Sequence, residues 1–309
     1  MSKKQRKDMY QEITNKVIEA LEKGTIPWEK PWQGTGGLRG LPRSVSTGKT
    51  YSGVNLWLLD TAYSNPWWLT FKQAKSLGGC VRKGECGTQI VFYKFVEVKN
   101  ADTGDVENTF PILKSFTVFN VDQCDIPQEA LDNLDARLDK LCGKEVVRND
   151  NEIIDNAQSL MDTYLERENI ELLTGGNRAF YRPSSDRITM PKLTDFRDSN
   201  SYYATRYHEA VHSTGHKSRL AREDLAKVEA KGDESYSREE LTAELGASFL
   251  CGVTGIVNKG LTDNRDAYIA SWLEALKNDK RAVVVAGGRA TKAAEFILGD
   301  DFQNESDAE

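Results

Sequence analysis

Residues 201–214 read SYYATRYHEAVHST, and this stretch decides the fold class of the second half of the chain. The pattern continues as a helix through His208 and His212. On a helix, a spacing of four residues puts both imidazoles on one face about one turn apart. Two such nitrogens can each lie about 2.0–2.1 Å from one zinc ion. Glu209 lies beside this pair, where a carboxylate can take a proton from metal-bound water.

A second predicted helix supplies the third ligand. It opens at Ser237 and carries two carboxylates, Glu240 and Glu244, four residues apart. We expect Glu240 to complete a two-histidine, one-carboxylate site for one Zn²⁺ or another divalent metal, with water in the fourth position. We expect Glu244 to accept a hydrogen bond from a ligand imidazole. Glu239 is an alternative ligand, and all three could instead form the solvated face of an amphipathic helix.

Two neighbouring features, His216 and the segment 179–191, each allow more than one interpretation. His216 continues the four-residue series, but on a straight helix it would lie about 12 Å from His208, too far to share one ion. Unless Gly215 bends the chain back, we expect His216 to cap the helix or to contact substrate or nucleic acid. The segment 179–191, AFYRPSSDRITMP, is either an ordinary hairpin or the sheet edge that aligns a peptide substrate.

The whole chain has the composition of a two-domain protein of 309 residues without a membrane span or a secretory signal. Its five cysteines are irregularly spaced, which argues against a disulfide framework and indicates a reducing, cytoplasmic setting. Charge divides the chain, because residues 1–100 hold 16 Lys/Arg against 8 Asp/Glu, although the whole chain has a net charge of −6. Five of the six tryptophans also lie before residue 69.

Cations interleaved with aromatic residues on Gly/Pro-rich loops are typical of single-stranded nucleic-acid binding, since cations neutralise phosphates and aromatic faces stack unpaired bases. The alternative is a small tryptophan core with incidental charge, and we assign Trp57 to such a core. The candidate nucleic-acid-binding residues are Trp28, Lys30, Trp32, Arg39, Arg43, Lys49, Tyr51, Trp67, Trp68, Lys72, Arg82, Lys83 and Lys94.

Periodicity and turn residues predict an α+β chain of two domains. Residues 1–128 form a small α/β domain, with a helix over 5–23 and a β-hairpin over 87–121. A linker at 129–150 precedes a second domain at 151–300. We expect this second domain to hold a helix near 155–168, two strands, the histidine helix and three further helices, near 237–251, 264–278 and 279–297. The tail at 301–309 is predicted to be disordered.

Several separated motifs resemble the ArdC/TraC-type anti-restriction proteins of conjugative plasmids and phages. They are IPWEKPW (26–32), TGKTYSGVN (47–55), WLTFKQAKSLGGCVRKGECG (68–87), HEAVHSTGHKSRL (208–220) and EELTAELGASFL (239–250). The resemblance covers nearly the whole chain. It implies an N-terminal single-stranded-DNA-binding domain, a C-terminal zincin-like metallopeptidase domain and protection of incoming DNA from host restriction.

Carried over by motif, the resemblance implies that His208 and His212 are metal ligands, that Glu209 is the general base and that Glu240 or Glu244 is the third ligand. Two hypotheses follow. In one, the site cleaves a peptide or protein, for instance of the host restriction system. In the other, the metal domain is structural or regulatory and the protein shields DNA. A nuclease is disfavoured, because nuclease sites are rich in carboxylates whereas two imidazoles suit zinc.

Overall fold

The computed structural model describes residues 8–23, 26, 37–59, 63, 65–99, 106–142, 154–196, 198–227, 234–256 and 265–299. In chain order, the first half contains α1 (Met9–Glu22), β1 (Arg43–Ser44), α2 (Asn55–Leu58), β2 (Trp67–Leu69), α3 (Phe71–Ser76), β3 (Cys80–Val81), β4 (Thr88–Lys99), β5 (Val106–Asn120), β6 (Cys124–Asp125) and α4 (Gln128–Cys142). The second half contains α5 (Asp155–Glu168), β7 (Glu171–Thr174), β8 (Phe180–Arg182), β9 (Arg187–Met190), α6 (Ser199–Thr214), α7 (Glu223–Lys227), α8 (Glu234–Thr254), α9 (Arg265–Asn278) and α10 (Ala282–Leu298).

The long antiparallel pair of β4 and β5 dominates the first half. Its register runs from Thr88 opposite Val118 to Lys99 opposite Val106, which confirms the hairpin predicted over 87–121. β-branched and aromatic residues fill both strands, as expected for a pleated, half-buried surface. β2 pairs with β5, and β1 pairs with β2, so that the sheet order is β1-β2-β5-β4.

The segment predicted as a linker, 129–150, is helical as far as Cys142, which is more than half of its length. α4 ends at Cys142, and its Leu134 and Leu138 are buried against Trp67 and Leu69 of β2. Most residues of this segment are polar because only one narrow face of α4 contacts the core. The sequence pattern therefore did not predict an amphipathic helix here. Residues 143–150 lie outside the described residues, and the domain limits themselves stay a prediction.

In the second half, a three-stranded sheet stands beside packed helices. Its order is β7-β9-β8, with β7 and β9 parallel and β8 antiparallel at one edge. The sequence pattern over 168–191 predicts two strands, and the structure has three, because each of the two predicted turns joins a pair of short strands. Ile188 and Met190 of β9 are fully buried against α5 and α6. The edge position of β8 sets this strand directly beside the histidine helix, which it contacts.

The predicted helices of the second half are confirmed, with shifted bounds. α8 begins at Glu234, so Ser237 lies inside it and is not the capping residue we predicted. α8 packs against both α6 and α10. The alternation of small and large apolar residues along α8 and α10 permits these close contacts. Among the described residues, no helix combines the length and apolar character needed to cross a membrane.

The two halves share a hydrophobic core. Ile13, Val17 and Leu21 of α1 are buried in one cluster with Trp272 of α9 and Val284 of α10. This cluster forms because α1 is amphipathic, and its apolar face is covered by α9 and α10 together with Val54 and Val91 of the first half. Burial of these side chains ties the N-terminal helix to the helices of the second half.

Candidate metal centre

α6 positions the two histidines. Asp198 caps its N-terminus by accepting a 2.7 Å hydrogen bond from the Ser201 amide, and most of the helix is buried. One turn apart on this helix, the rings of His208 and His212 have centroids 4.7 Å apart. Their Nε2 atoms face each other at 3.0 Å. The predicted pair on one helix face is therefore present.

Glu240 of α8 faces both histidines. Its Oε2 lies 3.5 Å from His208 Nε2, and its Oε1 lies 3.4 Å from His212 Nε2. One donor atom from each of these three residues lies within 4.8 Å of the others. All three side chains are about nine-tenths buried. The close contact of α6 and α8 brings together residues that are distant in sequence.

A second carboxylate stands behind each imidazole. Glu239 Oε1 lies 3.1 Å from His212 Nδ1, and Glu244 Oε1 lies 3.5 Å from His208 Nδ1. Glu239 is within hydrogen-bond distance of His212 Nδ1, whereas Glu244 acts on His208 Nδ1 through its charge. Both carboxylates favour a proton on Nδ1, which leaves the two Nε2 lone pairs pointing at each other. Two lone pairs at 3.0 Å repel unless a cation lies between them. The donor set therefore fits a divalent metal ion held by two nitrogens and one oxygen.

The electrostatics of the cluster favour positive charge. Burial opposes protonation of both histidines, but contacts with the surrounding glutamates outweigh it: the pKa of His208 is raised, and that of His212 is raised well above its usual range. Burial likewise opposes ionisation of Glu240, but the two imidazoles reverse this and its pKa is lowered. The site thus attracts a cation at its centre.

Arg222 holds the outer carboxylate of Glu239. Its Nε and Nη2 donate to Glu239 Oε2 and Oε1 at 2.9 and 2.5 Å, and the pair is almost fully buried. Arg222 also donates to the carbonyl of Val211, within the histidine helix. Burial would raise the pKa of Glu239, but the guanidinium reverses this and the pKa is lowered. Sequence reasoning missed Arg222, since no spacing rule relates it to the motif.

The edge strand β8 holds Glu209. The amide of Tyr181 donates a 2.7 Å hydrogen bond to Glu209 Oε2. The Tyr181 hydroxyl donates to Asp186, and Arg219 pairs with Asp186 and with the Tyr181 oxygen. These contacts fasten the β8 end of the sheet to the chain that follows α6. None of Tyr181, Asp186 and Arg219 was predicted individually as a site residue, although the first two lie in the segment 179–191 and Arg219 lies in the motif 208–220.

His216 does not join the converging group. It follows the end of α6, and its Nδ1 lies 2.7 Å from the hydroxyl of Ser218. The residues that converge are His208, His212 and Glu240. Gly215 keeps a right-handed conformation, so the chain does not fold His216 back onto the other imidazoles.

Three of the candidate nucleic-acid residues are buried, which corrects the prediction that they contact DNA. Trp67 and Trp68 of β2 are 0% and 2% exposed, because they point to opposite faces of a sheet that is covered on both sides at this strand. Arg43 is 5% exposed, and its guanidinium donates to the Gly48 carbonyl and contacts the Cys142 thiol. Bases and phosphates cannot reach these groups.

The other candidates divide by accessibility. Lys49, Lys72 and Lys83 are exposed, whereas Tyr51 is half-buried. Arg39 forms an ion pair with Asp139, and exposed Arg82 pairs with Glu85. Trp28, Lys30 and Trp32 lie outside the described residues, as does the predicted tail at 301–309, and the side chains of Trp57 and Lys94 also fall outside the description.

Family models match both halves of the chain. Residues 7–119 match the N-terminal domain of anti-restriction factor ArdC, and residues 159–289 match a zincin-like metallopeptidase. A DNA primase TraC of Escherichia coli is 34% identical over 95% of this chain, which spans 20% of that protein's length. The uncharacterized protein y4eC of Sinorhizobium fredii is 33% identical over 94% of this chain and 91% of its own.

Solved structures agree with these matches. The metal-free crystal structure of the antirestriction ArdC protein from the R388 plasmid is 35% identical, with a TM-score of 0.73 over 96% of this chain and 99% of its own. Its Mn(II)-bound structure is 34% identical, with a TM-score of 0.70 over 98% of this chain and 100% of its own. The chain therefore belongs to the ArdC antirestriction family and combines the N-terminal domain of that family with a zincin-like metallopeptidase domain.

Proposed function

We propose that this protein is an antirestriction protein of a mobile element, which binds single-stranded DNA with its first half and hydrolyses a peptide bond at a zinc site in its second half. It would act in the cytoplasm of a recipient cell and protect incoming DNA. The observation that carries the proposal is the convergence of His208, His212 and Glu240 beside Glu209. This constellation has the donor set and the adjacent base that metal-assisted hydrolysis requires.

His208 and His212 would hold the metal through Nε2, and Glu240 through a carboxylate oxygen. Three protein ligands of this kind leave a position for water, as in catalytic zinc sites. The solved relative with a bound ion contains Mn(II), so the proposal of zinc rests on the imidazole donors rather than on that relative. When bound, the metal would polarise a carbonyl and lower the pKa of water towards about 7.

Glu209 is the candidate base. The Tyr181 amide occupies its Oε2, which fixes the side chain and leaves Oε1 to receive a proton from water. The same carboxyl group would then pass that proton to the leaving amine. β8 lies at the sheet edge next to Glu209, so that an extended peptide could pair with this strand beside the site.

The DNA-binding half of the proposal rests on charge and exposure. Residues 1–100 carry a net positive charge, and Lys49, Lys72 and Lys83 present it to solvent. Such cations supply sequence-independent attraction to phosphates. Trp28 and Trp32 remain predicted base-stacking residues. The antirestriction role comes from the family and from the solved ArdC relative.

The shared core favours a second candidate function. Because α1 packs on α9 and α10, the metal domain could serve as a scaffold that holds a DNA-binding half in place. In that case the protein shields DNA without cleaving anything, and the metal stabilises the scaffold.

Glu209→Gln separates these two candidates. The variant keeps every metal ligand and is assayed for bound metal and for protection of transferred DNA in a restricting host, with the exposed Glu166→Gln on α5 as a matched control. Loss of protection with metal retained supports hydrolysis. Full protection with metal retained rules out hydrolysis as the working mechanism and supports the scaffold.

A further inference from the structure

Two phenylalanines stand half-exposed on the long hairpin. Phe92 of β4 is 54% exposed, and Phe116 of β5 is 48% exposed. Burial of a phenylalanine side chain is favourable, so two rings left in water on one hairpin forgo a large stabilisation. Exposed aromatic residues close together are a common mark of a binding surface.

The strand register places both rings on one face. Phe92 lies opposite Lys114, and Phe116 lies opposite Ile90. Directly paired residues share a face, and residues two apart on a strand share it as well. Phe92 and Phe116 are therefore diagonal neighbours, close enough for two aromatic rings to act together.

This face continues an aromatic cluster below it. Ile90 and Val118 are buried against Trp68 and Leu59, with Tyr51 and Tyr63 packed around them. Phe116 lies directly across from the buried Ile90, and Phe92 follows two residues further along β4; both rings are exposed. Burial of Ile90 and Val118 holds the strands that carry the two exposed phenylalanines.

The opposite face and the edge of β4 fix the hairpin in position. Val91, next to Phe92, is buried in the core shared with the second half. The side chain of Asn55 bonds both backbone groups of Val91, at 2.7 and 2.8 Å. Phe92 is thus presented on a backbone held from two sides, and its ring needs little ordering before it binds a ligand.

Positive charge flanks the two rings. Lys114 is exposed and lies directly across the ladder from Phe92. On the other side, Phe92 borders a cavity of about 600 Å³ between the hairpin and α10. Its wall includes the exposed Lys292, with Arg289, which pairs with Asp224, and Glu295.

We infer that the Phe92–Phe116 face binds single-stranded DNA, with unpaired bases stacked on the two rings and phosphates beside Lys114 and Lys292. This inference rests on the proposed DNA-binding function and assigns it a surface outside the loop that contains Trp28 and Trp32. Exposed rings offer π-faces to bases of any identity, and each stacked base contributes about 1–3 kcal/mol. Duplex DNA does not present its base faces, so the surface selects single strands.

The exposed Lys114 across from Phe92, and Lys292 in the wall of the cavity that Phe92 borders, favour a nucleic acid over a protein partner as the occupant. A protein surface that docks through apolar contact needs area but not aromaticity. Substitution of Phe92 by leucine therefore distinguishes the two occupants, because leucine keeps the apolar area but has no π-face on which a base could stack.

The test measures binding of a fluorescent oligothymidylate to the full chain by anisotropy. Phe92→Ala and Phe116→Ala should each weaken binding at least about fivefold, the low end of stacking contributions. Phe92→Tyr should bind as the wild type does, whereas Phe92→Leu should bind as weakly as Phe92→Ala. Lys292→Ala should reduce the dependence of affinity on salt. Leu173→Ala, which removes an equally exposed apolar side chain from β7, is the matched control.

The possible results distinguish an error in the proposed Phe92–Phe116 surface from an error in the proposed DNA-binding function. If the wild type does not bind the oligonucleotide, the proposed function and this surface both fail. If the wild type binds and both alanine variants bind equally well, only the surface is wrong. Binding retained by Phe92→Leu but lost by Phe92→Ala would overturn stacking and indicate an apolar docking site for protein.

Discussion

The backbone amide of Tyr181 donates a 2.7 Å hydrogen bond to the carboxylate of Glu209. This contact joins the sheet edge to the histidine helix at the proposed base. Glu209 is about nine-tenths buried, so the contact satisfies two buried polar groups at once. It also orients the carboxylate before any substrate arrives.

Replacing Glu209 tests this contact through stability. In Glu209→Gln, the amide oxygen can still accept from Tyr181, so we expect unfolding free energy close to the wild type. Glu209→Ala leaves the Tyr181 amide without its acceptor and should cost about 1–3 kcal/mol. Urea unfolding monitored by circular dichroism checks both values. Equal stability of the two variants would show that the hydrogen bond contributes nothing.

The three glutamates of α8 that face the histidines should differ in their effect on metal affinity. Glu240 faces both Nε2 atoms, whereas Glu239 and Glu244 face the Nδ1 atoms. We therefore expect Glu240→Ala to abolish stoichiometric metal binding. Glu244→Ala should weaken it about 10–100-fold, as is typical for partners of ligand histidines. Titration calorimetry with Zn²⁺ measures both, and a larger loss for Glu244→Ala would reverse the assignment.

Arg222 should be essential for stability. Its ion pair with Glu239 is buried. Removal of the guanidinium would leave the Glu239 carboxylate buried without this cation. Arg222→Ala should cost about 3–5 kcal/mol. As a control, Lys23→Ala breaks an exposed pair with Glu19 and should cost under about 1 kcal/mol. Denaturant midpoints of the metal-free proteins provide the comparison, and a small effect of Arg222→Ala would contradict the prediction.

The tryptophans of β2 should matter for folding rather than for DNA. Trp67 is fully buried, so Trp67→Ala should cost about 3–5 kcal/mol. Within the described part of the chain its indole Nε1 has no hydrogen-bond partner, so Trp67→Phe should cost much less. Thermal unfolding of the two variants is the measurement. Weaker DNA binding by a fully stable Trp67→Phe would restore a direct role for this residue.

The tryptophans before β1 should matter for DNA. Trp28→Ala or Trp32→Ala is predicted to weaken single-strand binding by at least about 1 kcal/mol through lost stacking. Binding should also weaken steeply as salt rises, since phosphate contacts release counterions. Unchanged affinity in both variants would argue against stacking at these positions, and a flat salt response would argue against phosphate contacts.

Features that depend on short spacing follow from the order of the amino acids alone. Four residues on a helix place His208 and His212 on one face whatever surrounds them, and β-branched alternation commits 88–120 to a hairpin. The same reasoning selected Glu240 and Glu244, because their helix repeats that spacing. These relationships follow from backbone geometry, which neighbouring residues set locally.

How distant segments contact one another became known from the three-dimensional structure. It separated the roles suggested for Glu239, Glu240 and Glu244, since the angle at which α8 crosses α6 fixes which nitrogen each carboxylate faces. It also buried Trp67 and Trp68, which composition had placed on a surface. Such contacts join residues far apart in sequence, so the packing of whole helices and sheets governs them, and no local spacing encodes them.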